Sequence, residues 1–425
     1  MKNTLSGHPE TLGPLTAGVP DRIKTPPVRR AEAAPKPGVA ETAAPSKVFH
    51  FDLRPQAIAR HLDRFVIGQR EAKKVLSVAL CDHFQHVRMA QEGKSTPHYQ
   101  KQNVLLLGPT GVGKTHLIRS AAELIGVPFV KADATKFSET GYVGGDVDDL
   151  VRDLYRRSGN DAKKAEHGII YLDEVDKLAT RTPGAGRDVS GRGVQTNLLK
   201  LMEDGDIPLV SPNDVTGQLQ SAMASMRGGA PAVETLNTRH ILFIVSGAFS
   251  GVTDLIRKRL FLAREVGKKK AGRKEAEGKT NRDPGQRLDD VDWLLGRMTT
   301  PDLIEYGLEP EFIGRLPVRV ACHGLDEEDL FDVLRKSESS LIHQYEQAFA
   351  AYGIQVDFRD DGLRRLAQLA GAEATGARGL MTICERVFRD LKFRLPTSRV
   401  KQFSVTARLV DDPLSELRKL LAGRR

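Results

Sequence analysis

Cysteine is almost missing from this sequence: Cys81, Cys322 and Cys384 are the only three in 425 residues, and no two stand close enough to form a C-x-x-C pair. That excludes a disulfide-stapled scaffold and a four-cysteine zinc module, and it points to a reducing compartment, expected to be the cytoplasm. Long apolar runs are missing as well. The longest unbroken aliphatic or aromatic stretch is Ile241 to Val245, far short of the ~20 residues a bilayer-spanning helix needs, so no membrane segment is expected. Aromatic residues are absent before Phe49, in a stretch that holds eight of the 22 prolines. Such a segment cannot bury enough apolar surface to offset its ordering entropy, and residues 1–49 are read as a disordered Pro/Ala-rich tail. The tail lacks an apolar h-region, which argues against a secretory signal.

Excess charge is modest, +9 from 64 basic and 55 acidic residues, and matters only where it clusters. One cluster lies between Arg257 and Arg287, around Lys268, Lys269, Lys270, Arg273 and Lys274. A solvated surface loop is the plain interpretation and a phosphate-binding strip the sharper one. What the chain does have, 40% hydrophobic and 28% charged residues, is ordinary for a globular protein with room for two or three domains.

From residue 54 onward, helical periodicity and short apolar strands alternate. Val104 to Leu107, Val127 to Val130, Ile169 to Leu172 and Ile241 to Val245 read as strands, and Val194, Leu198 and Leu201 mark one face of a helix. Strands apolar on both faces, alternating with helices, predict an α/β fold with a parallel sheet covered on both sides and ligands at the strands' carboxyl ends. After Pro317 the pattern becomes mainly helical. Leu330, Leu334, Leu341 and Tyr345 suggest one long helix and Gly376 to Arg394 another. The expected division is a large domain over 50–318 and a smaller C-terminal one over 319–425.

Gly108-Pro109-Thr110-Gly111-Val112-Gly113-Lys114-Thr115 satisfies G-x-x-x-x-G-K-[ST] after an apolar strand and before a helix. Glycines let backbone N–H groups close around phosphate oxygens, Lys114 suits the β- and γ-phosphates, and Thr115 suits Mg²⁺. A second half of such a site is an acidic pair ending a neighbouring strand, supplied by Asp173 and Glu174. Asp173 would hold Mg²⁺ through water, and Glu174 would polarise the attacking water as general base. Together these predict a P-loop ATP hydrolase. His83 and His86 share a helix face without a third ligand and are read as a solvated or packed pair rather than a metal site.

Several ordered blocks carry a resemblance: Val66-Ile67-Gly68-Gln69, the phosphate loop, Gly141-Tyr142-Val143-Gly144, Asp173-Glu174-Val175-Asp176-Lys177, Asp188-Val189-Ser190-Gly191, Ser246-Gly247-Ala248-Phe249, Glu311 to Pro317, and Gly376-Ala377-Arg378-Gly379-Leu380. Over residues 54–410 the chain resembles the AAA+ protein unfoldases of the ClpX type. The resemblance implies an AAA+ P-loop fold with a smaller, mainly helical lid domain, and ATP and Mg²⁺ as cofactors. It also implies a homohexameric ring that pulls unfolded or tagged proteins through a central pore. It assigns Val66 and Ile67 to the adenine wall and Tyr142 and Val143 to a gripping pore loop. Arg315 matches a finger reaching the adjacent subunit's nucleotide, Arg378 a nucleotide-sensing arginine, and Ser246 a polar sensor.

Departures bear on partners. The family's N-terminal four-cysteine zinc domain is missing. The peptidase-docking tripeptide is not evident between Gly251 and Arg287, where Val266-Gly267-Lys268 stands, so a ClpP-like peptidase is left open. Met226-Arg227-Gly228-Gly229 occupies the approximate place of a basic pore-entrance loop. Two alternatives remain at this stage: a nucleic-acid motor or loader on the same core, which a Tyr-Val pore disfavours, and a peptidase-independent disassembly chaperone.

Overall fold

Short strands buried on both faces build the centre of the molecule. In chain order the strands up to Ala321 are β1 (Val104–Leu107), β2 (Phe129–Asp133), β3 (Ile169–Asp173), β4 (Asp206–Pro208), β5 (Thr235–Asn237), β6 (Leu242–Gly247) and β7 (Val318–Ala321). β4 and β5 form a separate antiparallel pair, while the others make one parallel sheet in the order β2-β3-β6-β1-β7. Successive residues of a strand face opposite sides. Leu105, Leu107, Ile170, Leu172, Phe243 and Val245 therefore enter one core, and Val104, Leu106, Ile169, Tyr171, Leu242 and Ile244 enter the other. Helices Asp149–Arg157, Val189–Met202 and Val252–Lys270 close the first face, and Pro55–Phe65, Arg70–Gln91 and Lys114–Ile125 close the second.

This computed structural model describes residues 49–94, 99–138, 145–179, 189–210, 235–270 and 290–423, with backbone alone at 189–190 and 264–270. Positions 1–48 of the tail expected over 1–49, Tyr142 and Val143, Asp188, Met226 to Gly229 and positions 271–287 of the basic segment lie outside the described residues, whereas Phe49, the tail's last expected residue, packs against Phe51, Phe84 and His167. Val266-Gly267-Lys268 falls within the backbone of the helix Val252–Lys270. Among the described residues, no helix is long and apolar enough to cross a membrane.

Three elements differ from expectation. β7 was not anticipated: it pairs in parallel with β1 and straddles position 319, where the smaller unit was expected to begin. Its Val-Arg-Val-Ala pattern hides it, because Arg319 is absorbed by hydrogen bonds to Leu316 O, Ile313 O and Thr300 Oγ1. The single long helix is two, Glu327–Lys336 and Leu341–Ala350. Ser340 separates them by donating to Leu334 O at 2.5 Å and accepting from Ile342 N at 3.2 Å, the local competition with helix bonding that serine offers. Two further strands, β8 (Gln355–Phe358) and β9 (Gln402–Val405), form a parallel pair within the third core, whose centre includes Phe349, Leu366, Ile383 and Phe388.

His83 and His86 are packed rather than solvated, at 0% and 7% exposure. His83 Nε2 lies 3.0 Å from His240 O, and His86 stacks on Tyr99 with ring centres 3.4 Å apart. His167 and His240 complete the cluster, 6.4 Å between rings. Burial, assisted by Lys101 and Arg239 nearby, holds these rings neutral: His83 is pushed down to about 3, His167 and His240 to about 4, and His86 below its usual value. At His83, His167 and His240 the unfolded chain takes up a proton as pH falls through about 6.5, whereas the folded chain does not until about 4 at His167 and His240 and about 3 at His83. Stability is thus full above about 6.5 and falls toward 4, by about 1.4 kcal/mol per pH unit for each histidine within its window. The urea midpoint is expected to drop between pH 7 and pH 5, and to drop less in a His83→Gln, His240→Gln double variant. Equal slopes in the two proteins would remove the cluster as the cause.

Candidate functional site

β1 delivers the chain into a turn that only glycine tolerates. Gly108, Gly111 and Gly113 have φ of 140°, 81° and 92°, values that L side chains rarely adopt. Cβ atoms at Gly108 and Gly111 would clash with the carbonyls of Cys322 and Thr375. The turn runs into the helix Lys114–Ile125, so its N–H groups and the helix's positive end face one cleft. Lys114 is 8% exposed and folds back on the loop, donating to Gly108 O at 2.6 Å and Pro109 O at 2.8 Å. Burial brings its pKa below the ordinary lysine value, although Cys322, Asp173 and Asp176 oppose the shift. Val112 is buried in the core beneath the loop.

The parallel register brings the other motifs alongside. Asp173 ends β3, and its Oδ2 lies 3.2 Å from Thr115 Oγ1, while its Oδ1 accepts from Ser246 Oγ at 2.7 Å and Glu174 N–H at 3.1 Å. Burial alone would raise the Asp173 pKa, but the Ser246 hydrogen bond and the Lys131 ammonium outweigh it and hold the carboxyl below its usual value. Glu174 turns the chain at φ 59°, an uncommon conformation for a non-glycine residue, and lines the cleft. A hydroxyl and a carboxylate converging beside a cradle of backbone amides are hard oxygen donors of the kind Mg²⁺ takes with nucleotide phosphates. The donor set and the glycine cradle fit that pair.

The cleft has a volume of about 570 Å³ and is closed on one side by the third core, from which Ala377, Arg378 and Met381 line it. The approach is backbone to backbone: Ala377 N–H donates to Gly111 O at 3.0 Å. Gly376, at φ 61° and ψ −145°, is the residue that permits it. Thr110 and Thr115 line the same cleft, and Pro109 lines the adjoining one with Thr110 and Arg378. Val66 is buried against Gly113, and Ile67 is half-buried beside it in sequence; neither is among the residues lining the phosphate cleft. Their turn is fixed by Gln69, whose amide exchanges two hydrogen bonds with the backbone of His323.

Arg315 is not brought to this cleft. It lines a separate cavity of about 600 Å³ with Lys101, Asn103 and Glu203, and its Nη2 pairs with Glu203 Oε1 at 2.5 Å. Tyr142 and Val143 lie outside the described residues, but the ends of their segment are pinned: Ser138 N–H donates to Gly145 O and Gly145 N–H to Lys136 O. The short helix Ala134–Lys136 at that base packs on Val175–Leu178, directly after Glu174.

Sequence reasoning did not single out Tyr171 or Lys131. The Tyr171 hydroxyl lies 2.7 Å from Ser246 Oγ and 3.3 Å from Thr115 Oγ1, and Lys131 Nζ is 3.3 Å from Asp173 Oδ2. Tyr171 stands two residues before Asp173, hence on the same strand face, a signal that was present. Lys131 pairs opposite Tyr171 across β2 and β3, which only the register reveals.

Comparison with known proteins agrees with this geometry. Residues 99–319 match the family described as AAA domain (Cdc48 subfamily). The ATP-dependent Clp protease ATP-binding subunit ClpX of Borrelia duttonii (strain Ly) is 39% identical over 359 residues, covering 83% of this chain and 77% of the relative. The protein of the same name from Borrelia recurrentis (strain A1) matches to the same extent. The chain is an ATPase and belongs to the ClpX-type AAA+ family.

Proposed function

We propose that this chain assembles into homohexameric rings that hydrolyse ATP with Mg²⁺ and use the cycle to pull unfolded or tagged proteins through a central pore. The observation that carries the reading is the separation of the arginines: Arg378 faces the phosphate loop of its own chain, while Arg315 opens on another cavity, as a group serving an adjacent subunit must. The loop amides and Lys114 receive the phosphates. Thr115 and Asp173 would hold Mg²⁺, which would supply charge neutralisation at the phosphates. Glu174, aimed into the cleft by its left-handed turn, takes the proton of the attacking water. Arg315 places positive charge where the neighbouring site develops negative charge.

Motion passes outward by two routes. The residues after Glu174 pack on the base of the Tyr142 and Val143 segment, so rearrangement at the acid reaches the grip. The third core touches the phosphate loop through Ala377 and Gly111, so a change in the loop shifts Arg378 and the core behind it. A tyrosine ring grips varied side chains without requiring one partner. A nucleic-acid motor is not favoured, and the proposal stops at unfolding, since no docking tripeptide for a peptidase is evident.

Glu174→Gln is expected to retain ATP and lower turnover by about 10²-fold or more. Measuring nucleotide retention and phosphate release on one sample checks it, and unaltered release would place the base elsewhere. Tyr142→Ala is expected to reduce the stimulation of ATPase by an unfolded protein several-fold. Full stimulation in that variant would take Tyr142 out of the grip.

A further inference from the structure

Strand β1 carries the phosphate loop at its carboxyl end; at its amino end stands Asn103, 1% exposed. An amide at that depth needs partners for both polar atoms. Its Nδ2 donates to the carbonyl oxygen of Arg315 at 3.1 Å, and its Oδ1 accepts from Phe243 N–H at 3.2 Å. The Asn103 carbonyl also receives Val318 N–H. One buried side chain thus ties the starts of β1 and β6 to the segment that leaves the helix Pro310–Gly314.

That segment begins with Arg315, whose own N–H is bonded to Phe312 O at 3.2 Å. With N–H held by the helix and C=O held by Asn103, the root of the arginine takes its direction from the buried sheet. The tip is held differently. Arg315 and Glu203 form an ion pair at 48% and 44% side-chain exposure, and a pair so exposed contributes little and separates readily. Lys101, two residues before Asn103, donates to Glu203 O at 3.1 Å and Thr238 O at 2.8 Å, which keeps the end of the Val189–Met202 helix in place. The arrangement is a rigid root with a releasable tip.

We propose that Asn103 is the positioning residue for Arg315, an assignment that rests on Arg315 acting at the neighbouring subunit's nucleotide. A guanidinium stabilises a transferred phosphoryl only where it is well placed, and a shift of about 1 Å costs about 10²-fold in rate. Asn103 sits roughly 16 Å from its own Gly108 along an extended strand. Its loss should therefore spare ATP binding in its own chain and weaken turnover next door.

Asn103→Leu removes both side-chain hydrogen bonds at similar volume. The expected result is a kcat lowered about 10- to 100-fold with Kd for ATP changed less than about twofold. The deciding measurement mixes Asn103→Leu and Glu174→Gln chains in equal amounts. In mixed rings the intact base of one variant meets the intact finger of the other, and ATPase should recover to roughly a quarter of wild type on random assembly. No recovery would overturn the assignment, because damage confined to a chain's own site is not rescued by a neighbour. Arg315→Ala mixed with Glu174→Gln separates the two ideas. Recovery there without recovery for Asn103→Leu refutes the role of Asn103 alone; failure in both mixtures removes the trans action of Arg315 and this assignment with it. Asn103→Ala removes the same two hydrogen bonds and adds no bulk or charge. The same recovery is expected of it, and it serves if the leucine variant does not fold.

Discussion

The register of the parallel sheet is the constraint on which the site depends. β1 pairs with β6 so that Leu107 lies opposite Gly247, and β3 pairs with β6 so that Leu172 lies opposite Val245. Those pairings put the phosphate loop, Asp173 and Ser246 at one edge, within hydrogen-bonding reach of one another. A slip of one residue would turn every side chain of a strand to the other face. It would also carry Asp173 away from Thr115. Two separate cores depend on the same alternation, so the register that fills them also assembles the chemistry.

Around that edge the third core is attached at places where side-chain slack is small. Ala377 meets Gly111 through backbone atoms, Ser337 donates to Phe65 O at 2.8 Å, and Glu338 N–H donates to Arg64 O at 2.9 Å. One contact bears on the phosphate loop and the others on the turn before Val66 and Ile67. Gln69 fastens the same turn to His323, on the stretch that leads out of β7. A rotation of the third core must therefore move the walls of the cleft, and a change in the cleft must move the third core. Packed interfaces shift between discrete arrangements rather than bending smoothly, the behaviour a stepwise motor requires.

Much of this was legible beforehand because it rests on local chemistry. The phosphate loop, the acidic strand end and four of the sheet's five strands are written in contiguous residues whose patterns leave few readings. β7 was hidden because an arginine interrupts it and its bonds come from residues before it. The break between Glu327–Lys336 and Leu341–Ala350 was hidden because apolar spacing carries across it while serine chemistry stops the helix. Lys131, Asn103 and the part of His167 and His240 in the histidine cluster could not be seen at all. Their partners lie from 16 to more than 200 residues away, and only the folded register makes them neighbours.

The central claim is that ATP cleavage at this edge becomes traction on a protein. The most direct measurement is the fluorescence of a folded fluorescent protein bearing an unstructured tag, mixed with the purified full-length chain, ATP and Mg²⁺. A steady loss of signal that stops when a non-hydrolysable ATP analogue replaces ATP is the expected result. Brisk ATP hydrolysis with the fluorescence unchanged would contradict the account.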